Sequence, residues 1–215
     1  AVTRRWRYLN TGAAPGAWNM AVDNVLCRGA AAGEARPVLR LYQWAPPAVS
    51  LGYAQRSDAE VDTARCRALG VDVVRRPTGG RAVLHWEELT YSVVCRQDDP
   101  QLGGSIGETN RLIGQSLAAG LARVGVQASV ERSGLPGPRP HGGQASIPCF
   151  SSTARWEVTC AGRKLAGSAQ RRFAGAVLQH GSLLTGPAHA RIVELLPGLS
   201  AAERDRWRSA LEARS

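Results

Sequence analysis

Cys149 stands in the element Pro148-Cys149-Phe150, and fifteen positions later comes Lys164, the sole lysine among 27 basic residues. The thiolate is the nucleophilic form of cysteine, and a neighbouring ammonium lowers the thiol pKa from its free value of about 8.5. A cysteine and a lysine brought together therefore suit thioester exchange. In a chain that otherwise uses arginine, a retained lysine supplies a compact ammonium able to lose its proton. Chance survival of one lysine explains the composition equally well. A strand over 156–160 and a turn at Ala161-Gly162 predict a hairpin that returns Lys164 toward Cys149. Cys27, Cys66, Cys95 and Cys160 have no glycine-rich approach and read as buried small hydrophobes.

A second cluster runs Arg75-Arg76-Pro77-Thr78-Gly79-Gly80-Arg81 and on to His85. Glycines let a ligand lie against the backbone, so exposed amides and guanidiniums there could hold a phosphate or carbonyl oxygen, or leave room for an alkyl chain. From spacing alone a tight hairpin turn, with Gly79 and Gly80 merely supplying positive φ, is the favoured reading. Further along, Gly167-Ser168-Ala169-Gln170 and Leu178-Gln179-His180-Gly181-Ser182 put polar and small residues in strand-like runs. His85 and His180 are both candidates for a base.

These residues need a frame. The pattern Ser-x-x-Glu, which caps helix starts, occurs at Ser57/Glu60, Ser105/Glu108 and Ser200/Glu203. The second box opens a helix with the stripe Ile106, Ile113, Leu117, Leu121 and Val124, and the third a helix over 200–213. An earlier helix over 17–32 is expected to bury Trp18, Val22, Val25 and Leu26. Strands are expected over 38–44, 48–53, 71–76, 81–85, 89–95, 127–131, 156–160, 164–171 and 176–184. Their short connections favour antiparallel pairing, so the fold class is α/β of the α+β kind, a mixed and largely antiparallel sheet packed with helices. Residues 133–148, rich in Pro, Gly and polar types, read as a long loop covering a site.

The chain has 215 residues and a formal charge of +10, enough for one catalytic domain over 1–215 with affinity for acidic partners. Dispersed arginines and the absence of known nucleic-acid motifs argue against nucleic acid. No long apolar run or secretion signal is present, so a cytoplasmic location away from membranes is expected. With no CxxC or HxxxH spacing, no metal is assigned. No nucleotide-binding glycine fingerprint occurs.

Together, the blocks 75–85, Glu88-Leu89-Thr90-Tyr91-Ser92, Pro148-Cys149-Phe150, 162–170 and 178–182 resemble the lipoate/octanoate protein transferase family, nearest its octanoyltransferase branch. The likeness runs from Trp6 through Asn19-Met20-Ala21 to about Leu184. It implies a biotin/lipoate protein ligase type of catalytic domain. It further implies that Cys149 takes an octanoyl group from octanoyl-acyl carrier protein as a thioester, while Lys164 favours the thiolate and orients the acyl carbonyl. Arg76, Thr78, Gly79, Gly80, Arg81, His85, Gly167, Ser168, Ala169, Gln179, His180 and Gly181 would line the substrate. The acceptor would be a lysine of a lipoyl domain or of glycine cleavage H protein, the cofactors none and the enzyme a monomer. The rivals are an ATP-dependent lipoate-protein ligase acting through lipoyl-adenylate and an octanoyl amidotransferase between carrier proteins. Cys149, and Arg81 where the ligases carry a third glycine, favour the transferase. Trp86 departs from the acidic residue usual after the histidine, and the C-terminal extension looks short, which bears on substrate handling.

Overall fold

The computed structural model describes residues 5–132, 156–173 and 175–215. Cys149 and the 133–148 segment lie outside the described residues. The five-stranded main sheet has the order β1-β2-β6-β11-β10, built from β1 (Arg7–Ala14), β2 (Val38–Trp44), β6 (Glu88–Arg96), β10 (Ala166–Phe173) and β11 (Ala176–Leu184). β1 and β2 are parallel, which requires a crossover, and α1 (Gly16–Ala31) supplies it; the other three pairings are antiparallel. A three-stranded sheet holds β3 (Ala48–Leu51) between β4 (Asp72–Arg75) and β5 (Val83–His85). β7 (Ala128–Val130), β8 (Val158–Cys160) and β9 (Arg163–Lys164) form a third, antiparallel sheet. The mixed, mainly antiparallel α/β architecture follows the sequence reading.

Period-two alternation along β6 and β11 distributes the core. Val94 and Leu178 join Cys27 and Ala30 of α1 on one face, whereas Tyr91, Val93, Cys95 and Val177 meet Ile113 of α4 (Ile106–Arg123) on the other. A third cluster packs the small sheet under a 3-10 helix (Pro187–Leu195) and α5 (Ala201–Glu212). Trp86 packs against this cluster, and Arg191 lies 4.3 Å over its ring.

Two capping boxes, at Ser105/Glu108 and Ser200/Glu203, have both reciprocal hydrogen bonds. The Ser57/Glu60 pattern does not cap: Ser57 is the first residue of the four-residue α2 (Ser57–Glu60), whose N-cap is Arg56. The longer helix here, α3 (Thr63–Ala68), is capped by Asp62, which accepts from the Arg65 amide. The expected face of α1 is also corrected. Trp18 and Val25 are exposed, Val22 is half-buried and Leu26 packs at the edge of the core as expected, while the buried face carries Asn19, Met20, Asp23, Cys27 and Ala30. The apolar stripe lost because the inward polar groups find charged partners on the sheet. β1 and the 3-10 helix lacked clear periodicity and were absent from the sequence reading.

Candidate functional site

The segment from Arg76 to Ala82 joins β4 to β5, but these strands flank β3 and do not pair, so the expected glycine hairpin is replaced by a crossover loop. Gly80 adopts φ 94°, a conformation that favours glycine. The loop is strutted from within by buried Arg76. Its Nη1 donates to Ser50 O at 2.6 Å, and its Nη2 to Gly79 O at 2.8 Å and Arg81 O at 2.7 Å. A carbonyl-saturated guanidinium is thus part of the scaffold. Gly52 packs so closely beneath that a Cβ there would collide with Gly80 O.

Facing this loop, on α1, Asp23 is wholly buried. Its Oδ1 accepts from Arg40 Nη1 at 2.8 Å and Ser92 Oγ at 2.9 Å; its Oδ2 accepts from Tyr42 Oη at 3.3 Å and lies 3.2 Å from His180 Nδ1. Burial raises a carboxyl pKa, but here the hydrogen bond and proximity of His180, together with Arg40, outweigh it and hold Asp23 below its ordinary value. For His180, burial dominates and lowers the pKa, with Asp23 opposing. At neutral pH the pair is therefore carboxylate and neutral imidazole. An ionised carboxylate only accepts, which assigns the proton to Nδ1 and leaves the Nε2 lone pair to accept from Thr78 Oγ1 at 2.6 Å.

A parallel arrangement surrounds His85. Its Nδ1 lies 2.7 Å from Glu88 Oε1 and its Nε2 2.7 Å from Ser50 Oγ, while the ring stacks on Trp44 at 4.0 Å. Trp44 Nε1 donates to Thr90, which donates to Glu88 Oε1.

The glycine loop, both histidines and β10 converge on one cavity of about 60 Å³ between the main and small sheets. Arg76, Gly80, His85, Gly167, Ser168, Ala169, His180 and Gly181 border it, as do Met20, Tyr42, Trp44, Ser50, Val83, Thr90 and Ser182. Thr78 stands behind His180, and Tyr53 lies over Gly79. Arg81 is engaged through its carbonyl by Arg76. Strand alternation sends Gln179 to the opposite face, where it donates to Tyr91 Oη at 3.3 Å. Lys164 is buried beside β10 rather than on the cavity wall, with Nζ 2.9 Å from Glu157 Oε1. Burial raises the thiol pKa of Cys27, to about 12, and that of Cys66, in keeping with inert core roles.

Sequence reasoning did not assign Asn19, Asp23 or Glu88 to the site, although Asn19 and Glu88 stand in blocks that carry the resemblance. The available signal was Asn19 and Asp23 at i, i+4 on one helix face, with Met20 and Cys27 beside them. Among the described residues no His/Cys/Asp/Glu group could hold a metal, and no helix is long and apolar enough to cross a membrane.

Two sheets enclose a glycine-loop cavity in a mixed α/β catalytic-domain frame, and the family model for the lipoyl protein ligase A/B catalytic domain matches residues 15–214; the chain belongs to that family. It is 44% identical over 207 residues to the octanoyltransferase LipM of Kyrpidia tusciae, covering 96% of this chain and 76% of that protein. With the octanoyltransferase LipM of Moorella thermoacetica it shares 44% over 179 residues, 83% of this chain and 64% of that protein. In fold it is similar to a bipartite lipoate protein ligase from Thermoplasma acidophilum, with TM-score 0.72 and 24% identity over 98% of this chain and 73% of the other.

Proposed function

We propose that this chain transfers an octanoyl group from octanoyl-acyl carrier protein to a lysine of a lipoyl domain or glycine cleavage H protein, a step of lipoate biosynthesis, through a thioester on Cys149. The observation that carries this reading is the 44% identity to an octanoyltransferase over 96% of the chain. The first step exchanges one thioester for another and the second forms an amide from a thioester, so neither needs ATP. Lys164, at the end of β9 and paired with Glu157, is carried over from the family resemblance as the residue that favours the Cys149 thiolate and orients the acyl carbonyl. In the second step the acceptor nitrogen must shed a proton as the C–N bond forms and the C–S bond breaks. His85 and His180, both on the cavity border, are the candidates to take that proton. The proton lost from nitrogen restores the departing thiolate to thiol. The +10 charge suits acidic carrier proteins, and the transferase acts as a cytoplasmic monomer.

The test is intact-mass spectrometry after mixing the protein with octanoyl-acyl carrier protein, without ATP, beside a Cys149→Ala variant. An octanoyl adduct on the wild type alone, released by hydroxylamine, is the expected result. No adduct on folded protein, with carrier modification requiring ATP and free lipoate, would establish the ligase reading instead.

A further inference from the structure

The cavity crosses the main sheet. Gly167, Ser168 and Ala169 of β10 form one end, His180 of β11 and Thr90 of β6 follow, and Tyr42 and Trp44 of β2 form the other. In the order β2-β6-β11-β10 the ends are three strand spacings apart, roughly 14 Å. Lys164 lies three residues before Gly167, so on the octanoyl-transfer reading, on which this inference rests, the acyl carbonyl sits at the β10 end and the methyl end points toward β2.

At the β2 end the polar groups are spent on one another. Trp44 Nε1 is held by Thr90, Thr90 by Glu88, Tyr42 Oη by Asp23, and Ser50 by His85 and Arg76. The polar side chains that border the cavity here are all partnered, Glu88 Oε2, off the cavity border, being the buried network atom left without one, so this wall offers little to a polar ligand and accommodates an alkyl chain. The same bonds immobilise it, since moving Trp44 breaks both its bond to Thr90 and its stack on His85. Met20, whose neighbour Asn19 donates to Gln43 O of β2, and the strand-held Val83 are the exceptions, and of the two Met20 has the adaptable side chain. Buried on the inward face of α1 and bordering the cavity, it has an unbranched, three-torsion side chain with no hydrogen bond to lose. It is also the chain's only methionine.

We propose that Met20 is the end stop that sets the acyl-chain length this site accepts. A shorter side chain there deepens the cavity without opening the surrounding network, and a larger one shortens it.

The experiment measures acyl-adduct formation by intact mass from hexanoyl-, octanoyl-, decanoyl- and dodecanoyl-acyl carrier protein, on wild type, Met20→Ala and Met20→Phe, each checked for folding by thermal unfolding. A hydrophobic pocket discriminates by roughly tenfold or more per methylene. Met20→Ala is therefore expected to raise the decanoyl-to-octanoyl ratio of kcat/KM by about tenfold or more, and Met20→Phe to lower the octanoyl-to-hexanoyl ratio similarly. Because the two variants act in opposite directions, either one that folds decides the matter. Ratios within about twofold of wild type in a folded variant would overturn the role of Met20. A wild type that takes up none of the four donors would overturn the octanoyl-transfer reading itself, and the end stop with it.

Discussion

Asp23→Asn isolates the interaction that turned α1 around. The change is nearly isosteric, so packing is kept while a fully buried anion becomes neutral. Arg40, equally buried, then loses the charge at 2.8 Å that compensates its own, and keeps neutral partners: Thr11 Oγ1, Asn19 O, Asn19 Oδ1 and the rings of Tyr42 and Trp18. Breaking a buried pair from one side costs about 3–5 kcal/mol. For a chain of this size each kcal/mol moves Tm by roughly 2–4 °C, so a fall of about 6–20 °C is expected at pH 7. The pH dependence has a definite sign. The folded pKa of Asp23 lies below its unfolded value of 3.8, so its contribution is present above 3.8 and disappears as pH falls through the lower folded value. Asp23→Asn should therefore flatten part of the acid limb as well as lower the plateau. Urea unfolding followed by tryptophan fluorescence measures both, with the slope m as a check on two-state behaviour. Adding Arg40→Gln to Asp23→Asn removes the uncompensated cation while keeping hydrogen-bonding side chains for Ser92, Tyr42, His180 and Asn19, and should recover part of the loss. A cost below about 1 kcal/mol for the single change, or an acid limb as steep as the wild type's, would refute the argument.

Two further outcomes follow from the same geometry. Gly52→Ala places a Cβ against Gly80 O and forces the glycine loop outward, so transfer activity should fall at least tenfold or so while the circular dichroism spectrum is kept; near-normal kcat/KM would mean that the loop position is not critical. His180→Asn should reduce the loss of stability on acidification below 6.5. The folded imidazole has a depressed pKa, so the unfolded chain takes up the proton first and folding weakens as pH drops below 6.5. His189 shares this sign and leaves a residual slope. Unfolding midpoints at pH 7.5 and 5.5 decide it.

Much of the frame was legible without coordinates. Strands over 38–44 and 176–184 carry the Val, Leu and Tyr content of buried sheet and coincide with β2 and β11, and the reciprocal Ser and Glu at 105/108 and 200/203 mark helix starts by purely local bonds. The glycine loop, His85 and His180 were assigned to the site by the family resemblance, spacing alone having favoured an ordinary hairpin turn for the loop, and they meet on one cavity. Local chemistry suffices for such features because a cap or a strand is specified within a few residues.

What only the tertiary structure decided was which side of each element looks inward. On α1 the apolar stripe Trp18, Val22 and Val25 is the better core face by hydrophobicity, yet Asn19 and Asp23 are buried because Arg40, Ser92 and His180 arrive from three strands to satisfy them. Gly79-Gly80 lies between strands that β3 keeps apart, so its loop is a crossover held by Arg76. The composition alone established a basic, arginine-rich chain with one lysine; that Glu157 waits 2.9 Å from that lysine depends on β8 and β9 pairing. Burial of charge is affordable only against a partner, and partners distant in sequence are set by the fold.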